Sequence, residues 1–139
     1  MSSPPLTQKI LVVDDDALLR EGTARLMRKA GYEVRVAADG AQALAELETE
    51  APDMVLLDVN LPDMSGLEIC RRIRSEAGYK GVYVVMLSSQ HTSTDEQVDG
   101  LAVGADGYIE RPLPNRELMA RVEALLRLKS EEEALRRAE

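Results

Sequence analysis

The stretch Lys9-Ile-Leu-Val-Val-Asp-Asp-Asp16 decides the fold, because a compact apolar run ends abruptly in three aspartates. A run of Ile, Leu and Val this short predicts a strand that is buried on both faces of a sheet. Four similar runs follow along the chain, separated by segments in which apolar residues recur with helical spacing. The predicted strands are 10–13, 32–37, 54–57, 82–87 and 108–109, and the predicted helices are 17–30, 40–50, 66–77, 94–103 and 115 to at least 129.

The alternation of buried strands with helices predicts a parallel sheet, because each helical crossover returns the chain to the same end of the sheet. Right-handed crossovers then give an α/β fold of the flavodoxin-like, doubly wound (βα)5 type, with a five-stranded parallel sheet in the order 2-1-3-4-5. Ligands of such folds bind beyond the carboxyl ends of the strands, where the strand order reverses. The residues that follow the predicted strands are therefore the candidates: Asp14, Asp15, Asp16, Ala38, Asp39, Asp58, Ser88, Ser89, Glu110 and Arg111.

Composition limits the class of protein. A chain of 139 residues, 45% hydrophobic and 30% charged, fits one globular domain with a core of its own. The net charge of −8 argues against nucleic acid as a direct ligand, because neutralising phosphates requires a basic face. Cys70 is the only cysteine, which excludes an internal disulfide or a cysteine-rich zinc site. The start carries no secretion signal and no run reaches the ~20 apolar residues of a membrane span, so we expect a cytoplasmic protein without membrane contact.

Three carboxylates are expected to converge at one edge of the sheet. Asp14 and Asp15 follow the first predicted strand and Asp58 follows the third, and these strands are neighbours in the order given above. Each close pair would repel by about a few kcal/mol even at an effective dielectric constant near 20, so a cation is expected, and oxygen ligands suit Mg²⁺ (or Mn²⁺). The alternative is that these are ordinary loop aspartates, which is our interpretation of Asp16, placed to cap the first helix.

The neighbouring strand ends suggest phosphoryl chemistry. A carboxylate can attack phosphorus to form an acyl phosphate, and catalysis of that transfer is mostly positioning and charge neutralisation. Ser88 offers a hydroxyl after the fourth strand, and Arg111 offers a cation after the fifth. Each is commonplace alone, but their placement around the same sheet edge favours a pocket that receives a phosphoryl group.

Four motifs, in order, resemble the receiver domain of bacterial two-component response regulators. The resemblance extends from about residue 9 to 129 and rests on Lys9-Ile-Leu-Val-Val-Asp-Asp-Asp16, Val55-Leu-Leu-Asp-Val-Asn-Leu-Pro-Asp-Met-Ser-Gly66, Met86-Leu-Ser-Ser89 and Gly104-Ala-Asp-Gly-Tyr-Ile-Glu-Arg-Pro112. It implies a role for each site residue: Asp58 as phosphoacceptor, Asp14 and Asp15 as metal ligands together with Asp58 and the backbone carbonyl of Asn60, Ser88 as a ligand of the phosphoryl group, and Tyr108 as an aromatic switch.

The resemblance also implies a function, that of a phosphorelay signalling switch. A partner phosphohistidine would pass its phosphoryl group to Asp58 in a Mg²⁺-dependent step, and the face made by the fourth helix, fifth strand and fifth helix would change in response. The donor would be a sensor histidine kinase or a histidine phosphotransfer protein, since nothing marks the single histidine, His91, as a donor. We expect no turnover of a diffusible substrate, and thus no enzyme beyond a phosphoacceptor that assists its own phosphorylation and dephosphorylation.

Arg111 departs from the family pattern, which has lysine before the proline. A planar guanidinium is not equivalent to a compact ammonium. Arg111 would either neutralise the phosphoryl group or bind Asp58 tightly enough to hinder attack. The second option leads to an alternative function, a degenerate receiver that acts as a protein-interaction module without phosphorylation.

We expect three segments: a flexible leader at 1–8, the receiver domain at 9–129, and a helical extension or linker at 130–139. The extension contains the i,i+4 pairs Glu132–Arg136 and Glu133–Arg137, which support a helix. It fits either a charged tail or a helix used for an output domain or for a homodimer. No DNA-binding module follows residue 129, so the output would be a separate protein or a C-terminal domain missing from this sequence.

Two further classes are weaker. Asp14 and Asp16 form the Asp-x-Asp pattern of aspartate-nucleophile phosphatases, but Ala17-Leu18 and the short chain argue against that class. A nucleotide-binding protein would require a glycine-rich phosphate loop, which is missing from the sequence.

Overall fold

The computed structural model describes residues 7–88 and 94–138, with five strands and five α-helices alternating along the chain. The predicted leader falls mostly outside these residues, as does His91. Within the described ranges, no helix is both long and apolar enough to cross a bilayer. The elements are β1 (Lys9–Val13), α1 (Ala17–Lys29), β2 (Glu33–Ala37), α2 (Gly40–Thr49), β3 (Met54–Asp58), α3 (Gly66–Ser75), a 3-10 turn (Ala77–Tyr79), β4 (Tyr83–Ser88), α4 (Thr94–Ala102), β5 (Gly107–Glu110) and α5 (Asn115–Ala138).

The strands form one parallel sheet in the order β2-β1-β3-β4-β5, which confirms the predicted topology. Side chains alternate between two buried clusters, as the two-residue period of a strand requires. Leu11, Val55 and Met86 belong to the cluster on one face of the sheet. Val12, Leu56 and Leu87 belong to the cluster on the opposite face, which also contains α5 residues. Burial on both faces explains why the strands are continuous apolar runs in the sequence.

Polar side chains fix the beginnings of the helices that approach the sheet edge. Asp16 Oδ1 accepts hydrogen bonds from the N–H groups of Leu18 and Leu19, which confirms its predicted role as the cap of α1. Asp39 and Ser65 cap α2 and α3 in the same way. These caps satisfy backbone donors that have no partner within the helix, so the loops next to the strand ends are well defined.

Helix α5 continues through the segment predicted as an extension, and its C-terminal part is bound to the opposite end of the sheet. The Tyr83 hydroxyl, at the start of β4, donates a 2.7 Å hydrogen bond to Glu132 Oε2, and desolvation and this bond raise the Tyr83 pKa. Lys129 is buried, and its ammonium pairs with Glu133 and lies 3.9 Å from Asp53 Oδ1. The boundary proposed at residue 129 stays a prediction, but the helix runs without a break across it.

Gly66 allows α3 to begin against the backbone that follows β3. A Cβ at this position would lie 2.6 Å from the carbonyl oxygen of Asp58 and 2.9 Å from Cα of Val59. Its N–H donates to the carbonyl of Val59 at 2.8 Å, so the two backbone segments are held in contact.

We predict that Gly66→Ala lowers the free energy of unfolding by ~1–3 kcal/mol, because the new methyl group overlaps backbone atoms that cannot move independently. Gly22→Ala is the matched control, since a Cβ there meets no atom within 4 Å. In the interior of α1 the control should be neutral or stabilising by up to about 1 kcal/mol. Urea denaturation followed by circular dichroism measures both, and equal effects would contradict the assigned contact.

Candidate functional site

The structure brings Asp14, Asp15 and Asp58 together at the carboxyl edge of the sheet. One carboxylate oxygen from each lies within 4.8 Å of the others. Asp14 and Asp58 extend adjacent strands, because Val13 of β1 is in register with Leu57 of β3. Asp14 and Asp58 are buried, whereas Asp15 is exposed to water. The cluster therefore combines two desolvated carboxylates with one that is hydrated.

Asp58 lies in the least favourable position for a negative charge. Desolvation raises its pKa to about 6, and the neighbouring charges of Asp14 and Asp15 act in the same direction. The N–H of Asn60 donates a 2.9 Å hydrogen bond to Asp58 Oδ1 and opposes the shift, as does the charge of Arg111. A carboxylate with these surroundings is expected to respond strongly to any added cation.

Arg111 extends into the acidic cluster from the end of β5 and binds Asp14. Its Nη1 lies 2.6 Å from Asp14 Oδ2, and its Nη2 donates a 3.0 Å hydrogen bond to the Thr23 hydroxyl on α1. The Arg111 side chain is only 9% exposed. The sequence suggested either a phosphoryl contact or an ion pair with Asp58, whereas the structure shows the guanidinium on Asp14.

Ser88 and Tyr108 lie on neighbouring strands near the same edge. Ser88 is the buried last residue of β4, and Tyr108 of β5 is in register with Met86, two residues earlier on β4. In a parallel pair, register partners share a face of the sheet, so Tyr108 and Ser88 point to the same side. Tyr108 is half-buried and its ring packs on Gly100 of α4, where a Cβ would approach to 2.9 Å.

Sequence reasoning missed two residues that shape the site, Asp63 and Thr23. Asp63 accepts hydrogen bonds from the N–H groups of Gly40 at 2.8 Å and Ala41 at 2.9 Å, and these bonds lower its pKa. The loop after β3, which carries Asn60, is thereby attached to the N-terminus of α2, where a negative charge is favourable. No local signal marks either residue, because their partners are distant in sequence.

The donor set fits a hard divalent cation. Carboxylate oxygens are the preferred protein ligands of Mg²⁺, and the exposure of Asp15 leaves the site open to water, which Mg²⁺ retains in most sites. Asn60 lies two residues after Asp58, at an antiparallel bridge to Ser65. The ligand role of the Asn60 backbone carbonyl stays a prediction.

A flavodoxin-like sheet with an acidic pocket at its switch point defines the class of CheY-like α/β domains. A family model described as "Response regulator receiver domain" matches residues 10–123, and the chain belongs to that family. It is accordingly a receiver domain of a two-component response regulator and takes part in signal transduction, which confirms the family predicted from the four motifs.

Relatives and solved structures agree with this family. The DNA-binding response regulator MtrA of Mycobacterium tuberculosis (strain ATCC 25618 / H37Rv) is 45% identical over 129 residues, or 93% of this chain and 55% of the relative. The sensory transduction protein RegX3 of Mycolicibacterium smegmatis is 42% identical over 118 residues, or 85% of this chain and 50% of the relative. The chain thus spans about half the length of these relatives.

Two crystal structures show the fold likeness. A CheY-like receiver domain protein from Methanospirillum hungatei JF-1 has a TM-score of 0.85 and 31% identity, covering 91% of this chain and 99% of that chain. The chemotaxis response regulator CheY4 of Vibrio cholerae has a TM-score of 0.80 and 34% identity, covering 86% of this chain and 98% of that chain.

We predict that Asp58→Asn stabilises the metal-free protein at pH 8 by up to about 2–3 kcal/mol and much less at pH 4.5. The folded state retains the Asp58 proton up to about pH 6, whereas the unfolded chain releases it near pH 4. The stability linked to this group is therefore present at low pH and is lost as the pH rises from about 4 through about 6.

Thermal unfolding in chelated buffer at the two pH values measures this difference. Asp99→Asn, an exposed position on α4, is the matched control and should change little at either pH. A stabilisation by Asp58→Asn that is equal at both pH values would contradict the raised pKa.

Proposed function

We propose that the chain is a phosphoacceptor switch in which Asp58 receives the phosphoryl group of a partner phosphohistidine. The observation that carries the proposal is the convergence of three carboxylates at the switch point of the sheet. Mg²⁺ (or Mn²⁺), held by Asp14, Asp15, Asp58 and the backbone carbonyl of Asn60, would supply neutralisation of charge on the transferring group. Family membership supports the same role for Asp58.

In the proposed step an Asp58 carboxylate oxygen attacks phosphorus, and the P–N bond to the donor imidazole breaks. The imidazole nitrogen leaves with the bonding electron pair and takes up a proton, while Asp58 becomes an acyl phosphate. Ser88, buried at the end of the neighbouring strand, would donate its hydroxyl hydrogen to a phosphoryl oxygen. The chain thus orients its own acceptor, and we propose no turnover of a diffusible substrate.

The phosphorylated state would be detected on the face that carries Ser88 and Tyr108. Phosphorylation adds a charge of about −2 and three acceptor oxygens. A shift of Ser88 toward the phosphoryl oxygens would change the space beside Met86 and Tyr108. The ring of Tyr108 packs on α4 at Gly100. The face made by α4, β5 and α5 would then differ between the two states, which is how a local charge change biases a two-state element.

A second candidate is favoured by one observation, the engagement of Arg111 with Asp14 and Thr23. A cation already bound inside the pocket could make it independent of phosphorylation. In that case the chain would be a protein-interaction module with the same fold.

Incubation of the wild type with Mg²⁺ and acetyl phosphate, followed by intact-mass measurement, separates the two candidates. The phosphoacceptor predicts a gain of one phosphoryl group that disappears in Asp58→Asn and without Mg²⁺. Asp39→Asn, which alters a carboxylate at the end of another strand, is a control that should still gain the group. An unchanged mass of the wild type would favour the interaction module.

The donor protein is proposed to dock on an apolar groove beside the pocket. Leu18 is 87% exposed, and together with Leu19 and Gly22 of α1 it borders a groove of about 380 Å³. The groove is continuous with the site, because Arg111 and Thr23 also line it. A partner seated here would bring a phosphohistidine toward Asp58, and an exposed apolar patch is an expected feature of such a surface.

We predict that Leu18→Glu lowers the rate of phosphotransfer from a phosphorylated sensor histidine kinase at least ~10-fold. The substitution puts a charge on a side chain that would be buried once the kinase is bound. The rate with acetyl phosphate should be unchanged, since this small donor needs no docking. Leu135→Glu, which introduces the same charge at a 65% exposed leucine near the end of α5, is the control. Any sensor histidine kinase that phosphorylates the wild type can serve as the donor. An equal loss of rate with the kinase and with acetyl phosphate would contradict the docking role of Leu18.

We place the output outside this chain. The relative MtrA is described as a DNA-binding response regulator and is nearly twice as long as the matched region. The net charge of −8 makes direct nucleic-acid contact by this chain unfavourable. A downstream protein or a C-terminal domain would therefore carry any contact with DNA, with α5 as the connection.

A further inference from the structure

Arg111 is held by two partners at once, and both are buried. Its two terminal nitrogens bind Asp14 Oδ2 and Thr23 Oγ1, at 2.6 Å and 3.0 Å. Asp14 is 1% exposed and Thr23 is 7% exposed. The backbone N–H of Arg111 also donates to the carbonyl of Ser88 at 2.6 Å. The guanidinium is therefore fixed on Asp14 by a planar fork whose geometry differs from that of a compact ammonium.

Asp14, for its part, has both carboxylate oxygens engaged. Oδ1 accepts the N–H of Asp16 at 3.0 Å, and Oδ2 accepts from Arg111. The carboxylate is thus neutralised inside the pocket by a side chain of the protein itself. A divalent cation would approach a cluster whose formal charge, summed over Asp14, Asp15, Asp58 and Arg111, is −2 instead of −3.

We propose that Arg111 is the resident counter-charge of the acidic pocket and that it sets a low affinity for Mg²⁺. The guanidinium neutralises Asp14, and Thr23 anchors it there, so a divalent cation must compete with a bound positive charge. This inference rests on the metal site of the proposed function. It assigns to Arg111 a positioning role toward Asp14, distinct from a contact with the phosphoryl group.

Removing the counter-charge should have two opposite effects. The metal-free protein should become less stable, because a nearly inaccessible carboxylate loses its cation and lies beside two others. The affinity for Mg²⁺ should rise, because the cation then meets a more negative site without a competing charge. A residue that only filled space would change stability without tightening the binding of metal.

The experiment compares wild type, Arg111→Met, Thr23→Val and Thr23→Ser. Calorimetric titration with Mg²⁺ gives Kd, and thermal unfolding in chelated buffer gives the stability of the metal-free state. We expect Arg111→Met to lower the metal-free Tm by at least about 5 °C and to tighten the Kd for Mg²⁺ about 10-fold or more. Methionine keeps an unbranched apolar stem but lacks the guanidinium. Loss of packing alone would not raise the affinity for Mg²⁺, so a tighter Kd reports the lost charge.

The Thr23 pair tests the anchor with the charge of Arg111 retained. Thr23→Val is nearly isosteric and removes the acceptor. We expect Kd to tighten about 2–3-fold, because only part of the free energy of one hydrogen bond to a charged group opposes the binding of metal. Thr23→Ser keeps the hydroxyl and should keep the wild-type Kd. This comparison holds even if Arg111→Met fails to fold.

An unchanged or weaker Kd in Thr23→Val, or in Arg111→Met where that variant folds, would overturn the proposal. The absence of Mg²⁺ binding in every variant would overturn it as well. The phosphorylation result is read separately. If the variants bind Mg²⁺ more tightly but the wild type gains no phosphoryl group, the counter-charge role of Arg111 is supported and the phosphoacceptor function is rejected. If the wild type is phosphorylated but the variants show no change in Kd, the phosphoacceptor function is supported and the counter-charge role is rejected.

Discussion

Three carboxylates gathered at one edge of a sheet are the constraint on which the rest of the site depends. Asp14 and Asp58 are brought side by side because β1 and β3 pair in register up to Val13 and Leu57. The pocket moderates their repulsion in three different ways. Asp14 is paired with Arg111, Asp58 has a pKa raised to about 6, and Asp15 remains in water. The pocket therefore still carries excess negative charge, and a bound divalent cation would reduce it.

The free energy that gathers these charges comes from the sheet beneath them. The strands are buried on both faces of the sheet, and this burial determines where each strand ends. The residues that follow a strand are therefore held at the sheet edge even when they are charged. Short polar contacts then hold the connecting loops. Asp63 attaches the loop after β3 to the N-terminus of α2, and Gly66 lets α3 begin against the backbone of Asp58. The site is consequently formed by rigid elements, and the fold itself orients the Asp58 carboxylate.

The sequence was sufficient for the fold and for the convergence of carboxylates. A buried strand such as Ile10–Val13 can be recognised from its own continuous apolar residues. Because the strands are parallel, their carboxyl ends meet at one edge of the sheet. Contacts between distant residues had no such signal. Nothing near Thr23 marks it as a partner of Arg111, and nothing near Glu132 marks it as a partner of Tyr83, 49 positions away. Such pairings arise from tertiary packing, which periodicity and motif spacing do not encode. The catalytic and metal-binding roles of the site residues stay predictions, since geometry alone does not test them.

Arg111, which stands where the family resemblance implies a lysine, pairs with Asp14. An ammonium is a compact point charge on a flexible stem, whereas the guanidinium presents a planar fork of donors that suits two acceptors in a fixed relation. Asp14 and Thr23 provide that relation, one from the end of β1 and the other from α1. Arg111 therefore belongs to the Asp14 side of the pocket. A contact of Arg111 with a phosphoryl group on Asp58 would compete with its bonds to Asp14 and Thr23, and Thr23 also lines the apolar groove on α1. The occupancy of Asp58 and the shape of the donor-facing groove would then be linked through one side chain.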